Sequence, residues 1–217
     1  MRTQYTWELE SLRTQITTLG HTVADRLAQA ILALQQHDTA LAKMLIDADS
    51  EINAMRDTIA ERVVAIIATQ QPVAYDLRAL IAASEIASEL ERVGDYAKSL
   101  AKITLGSPRQ QASAMPMPLA PLVREVQAML AEAIECFAMQ DEIRARELES
   151  ADDVVDALEA QFRAHVAEMH RDDPQSMLWA TDALIAAHTL ERIADRATNI
   201  AERVIFIASG ERVELNH

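Results

Sequence analysis

Between Ile86 and Ala101 the apolar residues Ile86, Leu90, Val93, Ala97, Leu100 and Ala101 recur every three or four positions, which places them on one face of a helix. Leu148, Val155 and Phe162 mark a similar stripe in the second half of the chain. The pattern predicts six helices, over approximately residues 6–36, 39–69, 74–105, 120–139, 142–170 and 175–208. Asp38 and Asp141 each follow a short polar break, where a helix needs an N-cap acceptor. Asp173-Pro174 reads as an N-cap followed by a first-turn proline. Pro72 marks the interruption before the third helix, and Gly210 stands just past the last one, as a terminating glycine does. A helix of thirty residues is about 45 Å long, so the pattern describes elongated bundles whose short connections make neighbours antiparallel.

The six helices read as two copies of three. With an offset of 103, Leu27, Ala28, Ala30 and Ile31 match Leu130, Ala131, Ala133 and Ile134. The same offset of 103 pairs Asp38 with Asp141, Ala42 with Ala145, Leu45 with Leu148, Ala48-Asp49 with Ala151-Asp152, and Val63 with Val166. The offset then becomes 100, and Leu90-Glu91-Arg92-Val93-Gly94-Asp95-Tyr96-Ala97 returns as Leu190-Glu191-Arg192-Ile193-Ala194-Asp195-Arg196-Ala197. The three-residue change belongs in the loop before each third helix, near Pro72 and Pro174. Four prolines, Pro108, Pro116, Pro118 and Pro121, crowd the stretch between Gly106 and Leu122, which lacks helical periodicity and reads as a linker. The expected fold is all-α: two tandem three-helix bundles related by an internal repeat, over residues 1–105 and 120–210, joined by a linker at 106–119 and followed by a tail at 211–217. Each third helix carries a small-residue stripe, Ala83, Ala87, Gly94, Ala97 and Ala101 in one and Ala183, Ala187, Ala194, Ala197 and Ala201 in the other, which suits close helix packing.

Composition narrows the function. Half of the 217 residues are apolar, Gly and Pro are scarce, and few residues are aromatic, which favours long helices over sheets. The net charge is −14 and the pI near 4.8, so phosphate backbones are repelled and general nucleic-acid binding is not expected. Such a surface suits cations or basic patches on protein partners. Cys136 is the one cysteine and falls in an apolar helical stretch, where it reads as a small buried hydrophobe. The N-terminal residues lack the apolar core of a signal peptide and no run of eighteen apolar residues occurs, which points to the cytosol.

The chemistry resides in carboxylates. Glu91 with Asp95, and Glu191 with Asp195, stand four apart and so stack on one helix face. They lie roughly 110–150° from the centre of the apolar face, at about 100° per residue, hence on the flank of the bundle. The second helices offer partners: Asp152 with Asp156, and by the repeat Asp49 with Asn53. If second and third helices pack side by side, unit one presents Asp49, Asn53, Glu91 and Asp95, and unit two presents Asp152, Asp156, Glu191 and Asp195. His188 and Asn199 fall on the same side of the last helix. Converging carboxylates without basic partners repel, and a cation resolves that repulsion. All-oxygen sets suit magnesium, manganese, calcium or ferric iron, and His188 leaves room for iron or zinc in unit two. Arg92 and Arg192, each next to a Glu, are expected to face solvent or a partner. His21, His37, His165, His170 and His217 show no metal spacing, Ser84, Ser88 and Ser99 have no His–Asp arrangement nearby, and neither a Gly-rich phosphate loop nor a Cys-x-x-Cys occurs.

At these motifs the chain resembles the PhoU family, the regulators of bacterial phosphate uptake. The resemblance rests on the segments from Asp76-Leu77-Arg78 to Ala101 and from Leu190 to Glu202, and covers essentially the whole chain. It implies a cytoplasmic, all-helical, non-enzymatic protein, usually a homodimer, at most peripherally associated with a membrane. It implies metal ions (iron, zinc, manganese or magnesium) at Glu91 with Asp95, Glu191 with Asp195, and Asp152 with Asp156. It also implies partnership with the ATPase of the phosphate ABC transporter and with a sensor histidine kinase, in repressing the phosphate-starvation response. Asp49 with Asn53 departs from the family pattern, because an amide replaces one carboxylate, and Ala194 stands where unit one has Gly94. Two other readings compete: a purely structural helical adaptor without metal, and a di-metal carboxylate oxidase. The oxidase would need inward-facing Glu-x-x-His motifs, whereas His188 precedes Glu191 and unit one has Ser88 at that place.

Overall fold

The computed structural model describes residues 2–106, 119–169 and 177–216, which are all-helical apart from turns and the segment after residue 209. Seven helices follow in order: α1 (Arg2–Gln36), α2 (Thr39–Asp47), α3 (Ser50–Gln70), α4 (Tyr75–Gly106), α5 (Leu119–Met139), α6 (Glu142–Met169) and α7 (Met177–Ser209). The one departure from the six expected helices is the break between α2 and α3. The turn Asp47-Ala48-Asp49-Ser50 holds three residues of modest helix propensity, and Asp49, which precedes α3, makes no side-chain cap bond and instead accepts from Lys98. The interruption is slight: the Ala48 N–H still donates to Met44 O at 3.1 Å, and Glu51 N–H then donates to Ala48 O at 3.2 Å in a tighter turn. The aligned stretch of unit two runs through α6 unbroken. Asp173, Pro174 and most of the 106–119 linker lie outside the described residues.

The duplication extends to the turns. His37 and Gln140, equivalent at the offset of 103, both adopt left-handed backbone conformations (φ 51° and 57°). The following Asp38 and Asp141 N–H groups reach back to Ala33 O and Cys136 O, each at 2.9 Å, so both first helices end in the same hydrogen-bonded turn. Asp38 then caps α2, accepting from the N–H groups of Ala40 and Leu41 at 3.0 Å. Asp141 likewise accepts from Arg144 N–H at 3.1 Å. Gly210, at φ +81°, terminates α7 with its N–H on Phe206 O.

The two units share one core rather than standing apart. Helices α1, α4, α5 and α7 pack against one another in the centre, α2 and α3 cover α1 and α4, and α6 covers α5 and α7. Leu19, Leu27, Ile86, Leu90, Leu130, Leu190 and Ile193 are fully buried in a single apolar cluster that spans both units. Polar pairs line the seam between α4 and the antiparallel α7: Arg203 with Glu85 at 3.2 Å, Arg196 and Asn199 with Glu89 at 3.1 and 3.2 Å, and Arg192 over the Tyr96 ring at 4.9 Å. The segment after α7 folds back along it, with Leu215 N–H donating to Glu202 at 2.9 Å and Thr198 bonded to Asn216. Cys136 is fully buried, and burial pushes its thiol up to about 12, so it is an inert core residue. No described helix is long and apolar enough to cross a membrane.

The α1–α5 contact depends on Gly20. A Cβ there would stand 2.9 to 3.1 Å from three side-chain atoms of Ile134, a β-branched residue with little rotamer freedom. At Gly94 a Cβ would stand 2.9 Å from Ile52 Cδ1 and 3.2 Å from its Cγ2, so fewer atoms have to give there than at Gly20. Gly20→Ala is therefore expected to destabilise the chain by about 1 kcal/mol in urea denaturation, overpacking outweighing the helix-propensity gain. The loss is expected to disappear in an Ile134→Ala background, which removes all three contacting atoms, and Gly94→Ala is expected to cost less than Gly20→Ala. A net gain from Gly20→Ala contradicts close approach as the constraint on this seam.

Candidate metal centre

Two acidic faces sit where second and third helices pack side by side, α3 against α4 in unit one and α6 against α7 in unit two. In unit two, α6 presents Asp152 and Asp156, and α7 presents Glu191 and Asp195. The apolar stripe of α6 (Leu148, Val155, Phe162) is buried, and these acids sit beside it, as the helical angles predict. Burial is deeper than a flank position suggests at one of them: Asp152 is only 7% exposed. Its carboxyl is pushed up from an ordinary 3.8 to about 7, first by burial and then by the charges of Asp156, Asp195, Glu191 and Asp153. Glu191 is raised by burial and by Asp195, partly offset by His188. Asp195 is raised by burial, with Arg196 opposing and Asp156 adding to the rise. Four carboxylates from two helices thus lie within each other's field.

Sequence reasoning missed a fifth. Glu159, one turn beyond Asp156 on α6, is 8% exposed and contributes to the field at Glu191. The spacing Asp152, Asp156, Glu159 is itself the signal: three acids on one helical stripe. Among the described residues no Lys or Arg pairs with Asp152 or Asp156. Glu159 is held by the largely exposed Arg163 at 3.2 Å, and Arg196 stands 3.8 Å from Asp195. His188 is exposed, with Nδ1 3.1 Å from Glu191 Oε2, yet that buried oxygen receives no well-formed hydrogen bond. Asn199 belongs elsewhere: it binds Glu89 across the α4–α7 seam. The carboxylates stand apart, since among the described residues no three His, Cys, Asp or Glu side chains are grouped tightly enough to hold a metal ion as they are placed.

Unit one differs in kind. Asp49, Glu91, Asp95 and Asn53 occupy the equivalent places, but bases have moved in. Lys98 Nζ lies 2.5 Å from Asp49 Oδ2, and its ammonium is raised first by that hydrogen bond. Arg56 Nη2 lies 3.6 Å from Glu91 Oε1. Glu91 is raised by burial and by Asp95, with Arg56 and Arg92 opposing. The expectation of carboxylates without basic partners therefore fails here. Arg92 pairs with Glu89 at 3.2 Å, and Arg192 stacks on Tyr96, so both act on the face carboxylates through their field rather than by a direct ion pair.

A profile of the PhoU domain matches the chain twice, over residues 16–104 and 119–204. The phosphate-specific transport system accessory protein PhoU of Escherichia coli K12 is 35% identical over 212 residues, covering 96% of this chain and 86% of that protein. The crystal structure of the phosphate transport system regulatory protein PhoU from Streptococcus pneumoniae superposes with a TM-score of 0.90 at 27% identity, over 97% of this chain and 99% of that one. That of PhoU from Pseudomonas aeruginosa superposes with a TM-score of 0.87 at 31% identity, over 95% and 100%.

Crowding in unit two has a sign. The folded state binds protons more tightly than the unfolded chain at Asp152, Glu191 and Asp195, so metal-free protein loses stability as pH rises from about 4 through about 7. Asp152→Asn is expected to raise metal-free stability by about 1–2 kcal/mol at pH 8, with the gain vanishing near pH 4. Urea denaturation at the two pH values checks this, and a loss at pH 8 contradicts it.

Proposed function

The chain belongs to the PhoU family, and from that premise we propose that it is an accessory regulator of a phosphate-specific transport system. The observation that carries this reading is the likeness over the whole length of both units to proteins named for that role. In the proposed role the chain acts without catalysis on the cytoplasmic side of the membrane, as a homodimer. It docks on the ATPase of a phosphate ABC transporter and on a sensor histidine kinase, and it helps to repress the phosphate-starvation response while phosphate is plentiful.

The same proposal gives unit two a metal ion. Asp152, Asp156, Glu191 and Asp195 would hold it, with His188 and Glu159 at the margin. The fit is chemical: crowded, partly buried carboxylate oxygens suit a hard cation such as magnesium, manganese or iron, and Glu191 Oε2 is a buried acceptor in need of a partner. A bound cation supplies the positive charge that this face lacks. Asp156 is exposed, and a bound cation would draw its carboxylate and those of the facing helix towards one another. Drawn together, the two helices present a surface whose shape and charge a partner domain reads.

Deleting the gene in its host is expected to change phosphate uptake and to derepress phosphate-regulated genes. A deletion strain with both unaltered contradicts the regulatory role. Purified protein is expected to carry metal that falls at least tenfold in Glu191→Ala/Asp195→Ala with helicity kept. Metal content unchanged in that variant leaves the helical-adaptor reading in its place.

A further inference from the structure

Unit one repeats the pattern of unit two, yet three aligned positions of the acidic face are less acidic in unit one. Asp156 corresponds to Asn53, Glu159 to Arg56, and Thr198 to Lys98. With Asp152, Glu191 and Asp195 and their counterparts included, the six positions carry −5 in unit two and −1 in unit one, against which unit two sets only Arg196, 3.8 Å from Asp195, and the largely exposed Arg163 on Glu159. The substitutions are placed to act on the face itself. Lys98 bonds Asp49 and also lies in the field of Asp95, and Arg56 reaches Glu91. Each of the three remaining carboxylates therefore faces a base of the same unit.

We infer that Lys98 and Arg56 are built-in counter-ions that take the place of a metal ion in unit one, so that only unit two of this protein binds metal. The donor set of unit one does not fit a metal for two reasons. A cation there would have to displace an ammonium already on Asp49, a compact charge that serves as a direct substitute. It would also have to approach past the Arg56 guanidinium with two fewer carboxylates to attract it. Unit one is thus held closed at any metal concentration, and metal-dependent change is confined to α6 and α7. This inference rests on the metal reading of unit two given above.

Manganese binding separates the two. Calorimetric titration with Mn²⁺ is made on wild-type protein, on Asp156→Asn/Glu191→Gln, and on a unit-one variant, Asn53→Asp/Arg56→Glu/Lys98→Thr. Helicity by circular dichroism confirms that each variant folds, and Lys98→Thr alone replaces the triple variant if that one does not. The expected result is that Asp156→Asn/Glu191→Gln abolishes binding, while the unit-one variant gains a further site that Glu91→Gln/Asp95→Asn removes. Manganese retained by Asp156→Asn/Glu191→Gln but lost on adding Glu91→Gln/Asp95→Asn overturns the inference. So does a folded unit-one variant that gains nothing, because then the bases are not what keeps the metal out. Wild-type protein that binds no manganese, with a unit-one variant that gains a site, sinks the unit-two reading and leaves the counter-ion assignment standing.

Discussion

The antiparallel contact between α4 and α7 sets where everything else can go. Each third helix gives one face to the other unit, where the core residues Leu90 and Leu190 are fully buried and charged pairs such as Glu85–Arg203 and Glu89–Arg196 run in register along the rim. Gly94 lets α3 approach α4 closely, and Gly20 does the same where α1 meets α5. With that face committed, the remaining exposed flank of each third helix is the one its own second helix covers. The acidic pairs are consequently held at the seams of the protein, where burial is partial and charges feel one another strongly.

A seam lined by acids can be relieved in two ways, and the two units use different ones. In unit one relief is covalent to the chain: Lys98 and Arg56 are present in every copy of the protein. In unit two the proposed relief is a proton or a cation from solution, which would leave α6 and α7 responsive to their surroundings. On the inference drawn above, divergence at Asn53, Arg56 and Lys98 gives the duplicated scaffold a fixed half and a conditional half. In the proposed regulatory role a partner would use the fixed half as a platform while the other half changes.

Much of this was legible in the residues. Helical periodicity located all the long helices, the repeat offsets located their equivalences, and Asp38, Asp141 and Gly210 marked their ends as they do in the structure. The break between α2 and α3 left no mark, because neither Gly nor Pro makes it; it falls at Asp and Ser residues of modest helix propensity. Asp152 was placed at the edge of a stripe, but how far it is buried depends on how closely α7 packs over it, which periodicity does not contain. Glu159 was legible as the next turn of an acidic stripe. Lys98 and Arg56 were in the aligned repeat too, yet their effect depends on long side chains reaching across a helix pair, and only the packed structure shows which carboxylates they reach.

The most direct test of this account is anomalous diffraction at the manganese edge from crystals grown with Mn²⁺. The account predicts density between α6 and α7, bounded by Asp152, Asp156, Glu191 and Asp195, and a Lys98 ammonium still on Asp49 with no metal between α3 and α4. Density of equal strength in both units, or in unit one alone, contradicts it.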